Sequence, residues 1–141
     1  MLERADFVDL IPHAGPMCLI ERVADWDDDH LRALTAGHRD PDHPLARGGR
    51  LAALHALEFA AQAMAIHGAL RAARAGTTLA PGFLAGARHL ALHAARLDDR
   101  PGDLVIDVER RFAQQGDLIY GFSVAAGDTP LATGSATVVA R

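Results

Sequence analysis

The hydrophobic pattern of this chain changes period twice. Residues 51–70, LAALHALEFAAQAMAIHGAL, are apolar at almost every position. Alanine and leucine dominate and no proline interrupts, so the segment predicts a helix. Its apolar residues fall on nearly all faces, which predicts a helix buried on most sides. It should end near Gly76, with Arg71 and Arg74 in the last turns, where the macrodipole favours cations. Before it, an apolar run at 16–23 and a second at 30–36 flank the acidic turn 26–29, WDDD, and read as a pair of strands. Between these and the helix lies GHRDPDHPLARGG, residues 37–49, dense in proline, glycine and aspartate and expected to be a loop. After TTLAPG come four strand-like segments, 83–93, 103–112, 118–126 and 131–140. They are separated by the turn-rich DDRPGD, AQQGD and AGDTP.

Two strands, one helix and four strands predict an α+β domain, with an antiparallel sheet wrapped around a central helix. This is the element order of the hotdog fold. A sheet of this kind leaves an edge to be paired, so a dimer is expected. With 141 residues and 50% apolar composition, the chain reads as one domain over 1–141 with a real core. No uninterrupted apolar run is long enough to span a membrane, and MLERADFVDL lacks a signal-peptide core, so a cytoplasmic protein is expected. The net charge of −4 argues against bulk nucleic-acid binding. The lone Cys18 permits neither an internal disulfide nor a cysteine-based zinc site.

Glu58 is the only carboxylate in the helical segment. A carboxyl group inside an apolar helix raises its pKa or finds hydrogen bonds, and an acid held near neutrality suits general acid chemistry. The bland alternative is a glutamate that reaches solvent or a neighbouring backbone group. His55 and Glu58 share a helix face and make a metal site conceivable, but no third ligand is indicated. His38, Asp40, Asp42 and His43 form another ligand-rich stretch, for which turn-forming aspartates are the commoner explanation. His67, His89 and His93 read as surface or structural, and Trp26 as a turn anchor.

Two segments carry a resemblance. IPHAGPMCLIERV, residues 11–23, has a Pro-His pair, a proline three residues on, and an apolar run ending in Glu21-Arg22-Val23. LEFAAQA, residues 57–63, places Gln62 four residues after Glu58. Together they resemble the hotdog 3-hydroxyacyl-[acyl-carrier-protein] dehydratases, in particular the branch found in aryl polyene and xanthomonadin-type pigment clusters. PGFLAGARHLALHAARL, residues 81–97, fits that branch as well. The typical Gly-His-Phe-Pro motif before the helix is missing; Gly37-His38 and His43-Pro44 are partial echoes.

The resemblance implies dehydration of a β-hydroxyacyl thioester, with Glu58 as the acid. The base is His13 by motif or His43 by position, with His13 preferred. Pro16 and Gln62 are expected at the substrate. Gly48 and Gly49 are expected near the helix N-terminus, where bare backbone N–H groups can meet the thioester oxygen. No metal or redox cofactor is required. The implied partners are an acyl carrier protein with its phosphopantetheine arm and further hotdog subunits, as a homodimer or a mixed oligomer with a second subunit. Arg71, Arg74, Arg110 and Arg111 are candidates for carrier docking. The alternatives are a hotdog thioesterase and a non-catalytic hotdog subunit.

Overall fold

The computed structural model describes residues 1–11, 17–77, 82–114 and 117–140, and the side chains among them except 82–85, 112–114 and 140. His13 and Pro16 lie outside the described residues.

Among the described residues, seven antiparallel strands form one sheet. β1 (Leu2–Glu3), β2 (Arg22–Trp26) and β3 (His30–Thr35) precede the long helix α2 (Ala56–Arg74), and the short α1 (Arg4–Phe7) follows β1. β4 (Gly82–Leu92), β5 (Leu104–Gln114), β6 (Asp117–Ala126) and β7 (Thr129–Ala140) follow it. The order across the sheet is β1-β2-β3-β5-β6-β7-β4. This is the expected hotdog arrangement. The first apolar run differs from expectation: its strand begins only at Arg22, and 18–20 are buried as an irregular segment.

Local chemistry sets the turns. In the acidic turn, Asp27 Oδ1 accepts the backbone N–H groups of Asp29 and His30 at 2.9 and 2.8 Å, which reverses the chain into β3. α2 ends in a Schellman motif. Gly76 takes φ +74° and donates to Ala73 O, while Thr77 N donates to Ala72 O at 2.8 Å.

The sheet alternates. Leu104, Ile106 and Val108 of β5 are buried with Tyr120, Phe122 and Val124 of β6, and these share a core with Phe59, Ala63 and Ile66 of α2. His67 is a satisfied core histidine. Its Nε2 donates to Asp27 O at 2.8 Å, so Nδ1 accepts the Tyr120 hydroxyl at 2.8 Å. Burial lowers the His67 pKa and raises that of Tyr120 to about 12. Trp26 packs edge-on to His67 and carries the Arg74 guanidinium 4.0 Å from its ring centroid. The helix end is thereby tied to the β2–β3 hairpin.

α2 is not buried all round. Glu58, Ala61, Ala65, Gly68 and Ala72, spaced three or four apart, form with Leu57 a stripe that the sheet leaves partly open. β4 is the outer strand of its side, and Leu90 and Leu92 on it are exposed. Among the described residues, no helix is long and apolar enough to cross a membrane.

Candidate active site

Glu58 lies in the first turn of α2, on the open stripe. Its side chain is 52% exposed in the single chain, which corrects the expectation of a buried carboxylate. The helix is apolar at its surface as well as in its core, so composition alone could not tell the two faces apart. His55, which shares the helix face of Glu58, is its hydrogen-bonding neighbour. Its Nδ1 stands 2.7 Å from Glu58 Oε2, an i,i+3 pair in which the ring N–H donates to one oxygen of the carboxyl group. Among the described residues, no three metal-ligating side chains come together.

Gln62 is not free to meet a substrate. It is only 4% exposed; its Oε1 accepts Leu19 N–H at 2.8 Å and its Nε2 donates to Met17 O. Both polar ends of the amide are taken by the segment that follows Pro16. Gln62 is therefore a strut from the helix to the end of the His13 segment, one turn beyond Glu58.

The histidines of the preceding loop have their own partners. His43 packs against Phe59 with ring centroids 5.7 Å apart, and its Nδ1 accepts Leu45 N–H at 3.1 Å. Burial lowers its pKa, so the ring is neutral with its proton on Nε2 and has no free lone pair. His38 is fully buried and its Nε2 donates to Arg100 O at 2.9 Å. Asp40 serves its turn by accepting Asp42 N–H at 2.9 Å.

Gly48 and Gly49 do not stand at the helix start. They have φ +57° and +76° and form a two-residue hairpin between Arg47 and Arg50, whose backbones exchange hydrogen bonds of 2.8 and 3.0 Å. Two successive positive φ values define a type I′ turn, which glycine adopts without strain. The helical segment begins later, as a 3₁₀ turn at Ala53–His55 that runs into α2. The hairpin places Arg47 and Arg50 beside His55, around a cavity of about 230 Å³ that Arg96 also lines. A larger depression, about 700 Å³, lies on the outer face of the sheet among Arg32, Asp107, Glu109 and Ser123. These residues alternate with the buried ones of β3, β5 and β6, so the trough faces away from α2 and Glu58.

The four arginines considered for carrier docking divide. Arg74 pairs with Asp28 at 2.9 Å and Arg111 with Glu109 at 3.2 Å. Arg71 and Arg110 make no ion pair among the described residues.

A family model described as ApeP-like, ApeP dehydratase, matches residues 5–141. No curated protein matches the chain in sequence. Among solved structures it is similar to the dehydratase heterocomplex ApeI:P from Xenorhabdus doucetiae, at 22% identity and a TM-score of 0.84, over 95% of this chain and 90% of that one. It is also similar to a hypothetical thioesterase with coenzyme A from Streptococcus pneumoniae TIGR4, at 13% identity and a TM-score of 0.61, over 98% and 96% of the two chains. A probable thioesterase from Bartonella henselae matches at 13% identity and a TM-score of 0.54, over 79% of this chain and 89% of that one. At such identities these likenesses speak for the hotdog fold alone. The family match spans nearly the whole chain and includes the helix bearing Glu58 and Gln62, and on that ground the protein belongs to the ApeP-like dehydratase family.

Proposed function

We propose that this dehydratase removes water from a 3-hydroxyacyl thioester borne by an acyl carrier protein. The product is the trans-2-enoyl thioester, in aryl polyene or related fatty-acid-like synthesis in the cytoplasm. Glu58 is the acid that protonates the departing hydroxyl, and His13 is the base that takes the α-proton. The observation that carries this reading is the placement of Glu58. It stands on the open side of α2, one turn from the Gln62 strut that fixes the end of the His13 segment. The occupied Nδ1 of His43 favours His13 over it. The scheme uses no metal or redox group.

A second hotdog subunit completes the site in this reading. Glu58 is half exposed alone, and electrostatic catalysis is strongest where water is excluded. The open stripe of α2, the outer strand β4 and the exposed Leu54, Leu90 and Leu92 offer the surface to be covered. The similar ApeI:P structure is itself a heterocomplex. The thioesterase neighbours motivate a second reading, hydrolysis.

Intact-mass analysis of a 3-hydroxyacyl carrier protein separates these readings. Loss of one water with the thioester retained is expected, from the purified chain or after adding a second hotdog subunit. Release of the free carrier thiol would replace dehydration by hydrolysis. An unchanged mass in the presence of a second subunit would overturn both.

A further inference from the structure

The cavity beside the His55–Glu58 pair is strongly one-sided in charge. Arg47, Arg50 and Arg96 line it with His55, Leu45, Ala52 and Ala95, and among the described residues no carboxylate lines it. At about 230 Å³ it is smaller than the roughly 300–1,000 Å³ of sites for drug-sized ligands, and suits a small polar head.

Arg96 differs from the other two arginines. Arg47 and Arg50 are exposed beside the hairpin tip. Arg96 is held by Asp98, which accepts from Arg96 Nε at 3.0 Å and from its Nη2. Asp98 Oδ1 also accepts Leu51 N–H at 2.9 Å. The backbone repeats the attachment: Ala53 N donates to Ala95 O at 3.0 Å and Leu97 N to Leu51 O at 2.8 Å. The segment bearing Arg96 is thus stitched to the approach of α2, two to four residues before His55. The guanidinium has five N–H donors in a fixed fork, and Asp98 occupies two. The Nη1 pair makes no hydrogen bond among the described residues. The pairing holds the Asp98 carboxyl far below the usual range, so the grip persists throughout the neutral pH range.

A cation fixed before the reaction stabilises developing charge without reorganising. We propose that this cavity seats the thioester end of the substrate, with Arg96 as the donor to its oxygen. This rests on the dehydration reading and supplies the role that Gly48 and Gly49, away from the helix start, leave unfilled. The base removes the α-proton, and the electron pair left behind moves onto the thioester oxygen as an enolate beside Arg96. The pair then returns to form the α,β double bond as the β-carbon–oxygen bond breaks. The hydroxyl leaves as water with the proton of Glu58. The base then holds one proton and Glu58 has lost one, so their exchange restores the site. Charge on the oxygen peaks between these bond changes, so Arg96 acts on turnover more than on affinity.

The test uses the full chain, with a second hotdog subunit where turnover needs one, and a 3-hydroxybutanoyl thioester of N-acetylcysteamine. Arg96→Lys keeps the charge and loses the fork. Its kcat is expected to fall about 100-fold with KM within about twofold. Asp98→Asn, which loosens Arg96 without removing it, should fall in between, and Arg32→Ala, on the outer face of the sheet, should change kcat less than about threefold. An unchanged kcat in Arg96→Lys, whatever its melting temperature, overturns the proposal and leaves Arg96 a structural clamp. Binding of 3-hydroxybutanoate, followed through the His55 ring by NMR, separates this idea from the dehydration reading. Its carboxylate imitates the charged oxygen. Binding to the native chain that weakens at least about tenfold in Arg96→Lys supports the cavity even without turnover. Absence of binding to the native chain overturns it.

Discussion

Replacing Gln62 by leucine tests whether this residue is a strut or a substrate contact. The two side chains are close in size, so packing against the core changes little. The substitution strands Leu19 N–H and Met17 C=O, the two groups that Gln62 satisfies. Leu19 is 4% exposed, so its amide cannot turn to water and carries the full penalty of about 1–3 kcal/mol. Met17 is 46% exposed, and hydration of its carbonyl recovers most of that loss. The sum is about 1–3 kcal/mol, or a fall in Tm of roughly 3–12 °C for a domain of this size. Dehydration should fall with it, because the end of the His13 segment is released from α2. Urea denaturation at neutral pH, with turnover measured at a temperature where the variant remains folded, checks both parts. A variant that melts within about 2 °C of the native protein would show that these hydrogen bonds do not anchor the segment. Native stability with a raised KM would return Gln62 to the substrate.

Glu58→Gln should leave Tm unchanged, since the side chain is half exposed, while abolishing dehydration; activity near the native level would remove Glu58 from the mechanism. His13→Ala should lower kcat by at least about 100-fold and His43→Ala far less, measured on the same thioester; the reverse order would make His43 the base. Burial lowers the pKa values of His38, His43 and His67 below the ordinary 6.5. The unfolded chain then binds protons that the folded chain resists. Stability is complete above about pH 7 and declines as pH falls through 6.5 toward the folded pKa values. The urea midpoint should therefore be lower at about pH 5.5 than at about pH 7.5, and a flat profile would contradict the burial of neutral histidines.

The order of elements was legible because period and turn chemistry are local. Alternation in β5 and β6, the Asp27 turn and the Gly76 helix end each follow from neighbouring residues. The spacing of Glu58 and Gln62 also marked the helix that matters, since residues four apart lie on one side of it. What each of the two does was not legible. The chain does not say which stripe of an alanine-rich helix the sheet leaves open, yet this exposes Glu58 and buries Gln62. Gly48-Gly49 signalled only a need for positive φ. That need is met in a hairpin rather than at the helix start, because the helix begins at Ala53–His55. His55 was visible three residues from Glu58, but its hydrogen bond depends on the path of that first turn. Arg96 carried no signal at all, being one arginine among many in a chain without lysine. Its position depends on Leu51, 45 residues earlier, meeting Leu97 and Asp98 across the fold. Local sequence sets the strands, turns and helix because their hydrogen bonds close within a few residues. The site depends on side chains brought together from distant segments, and only tertiary packing decides which of them meet.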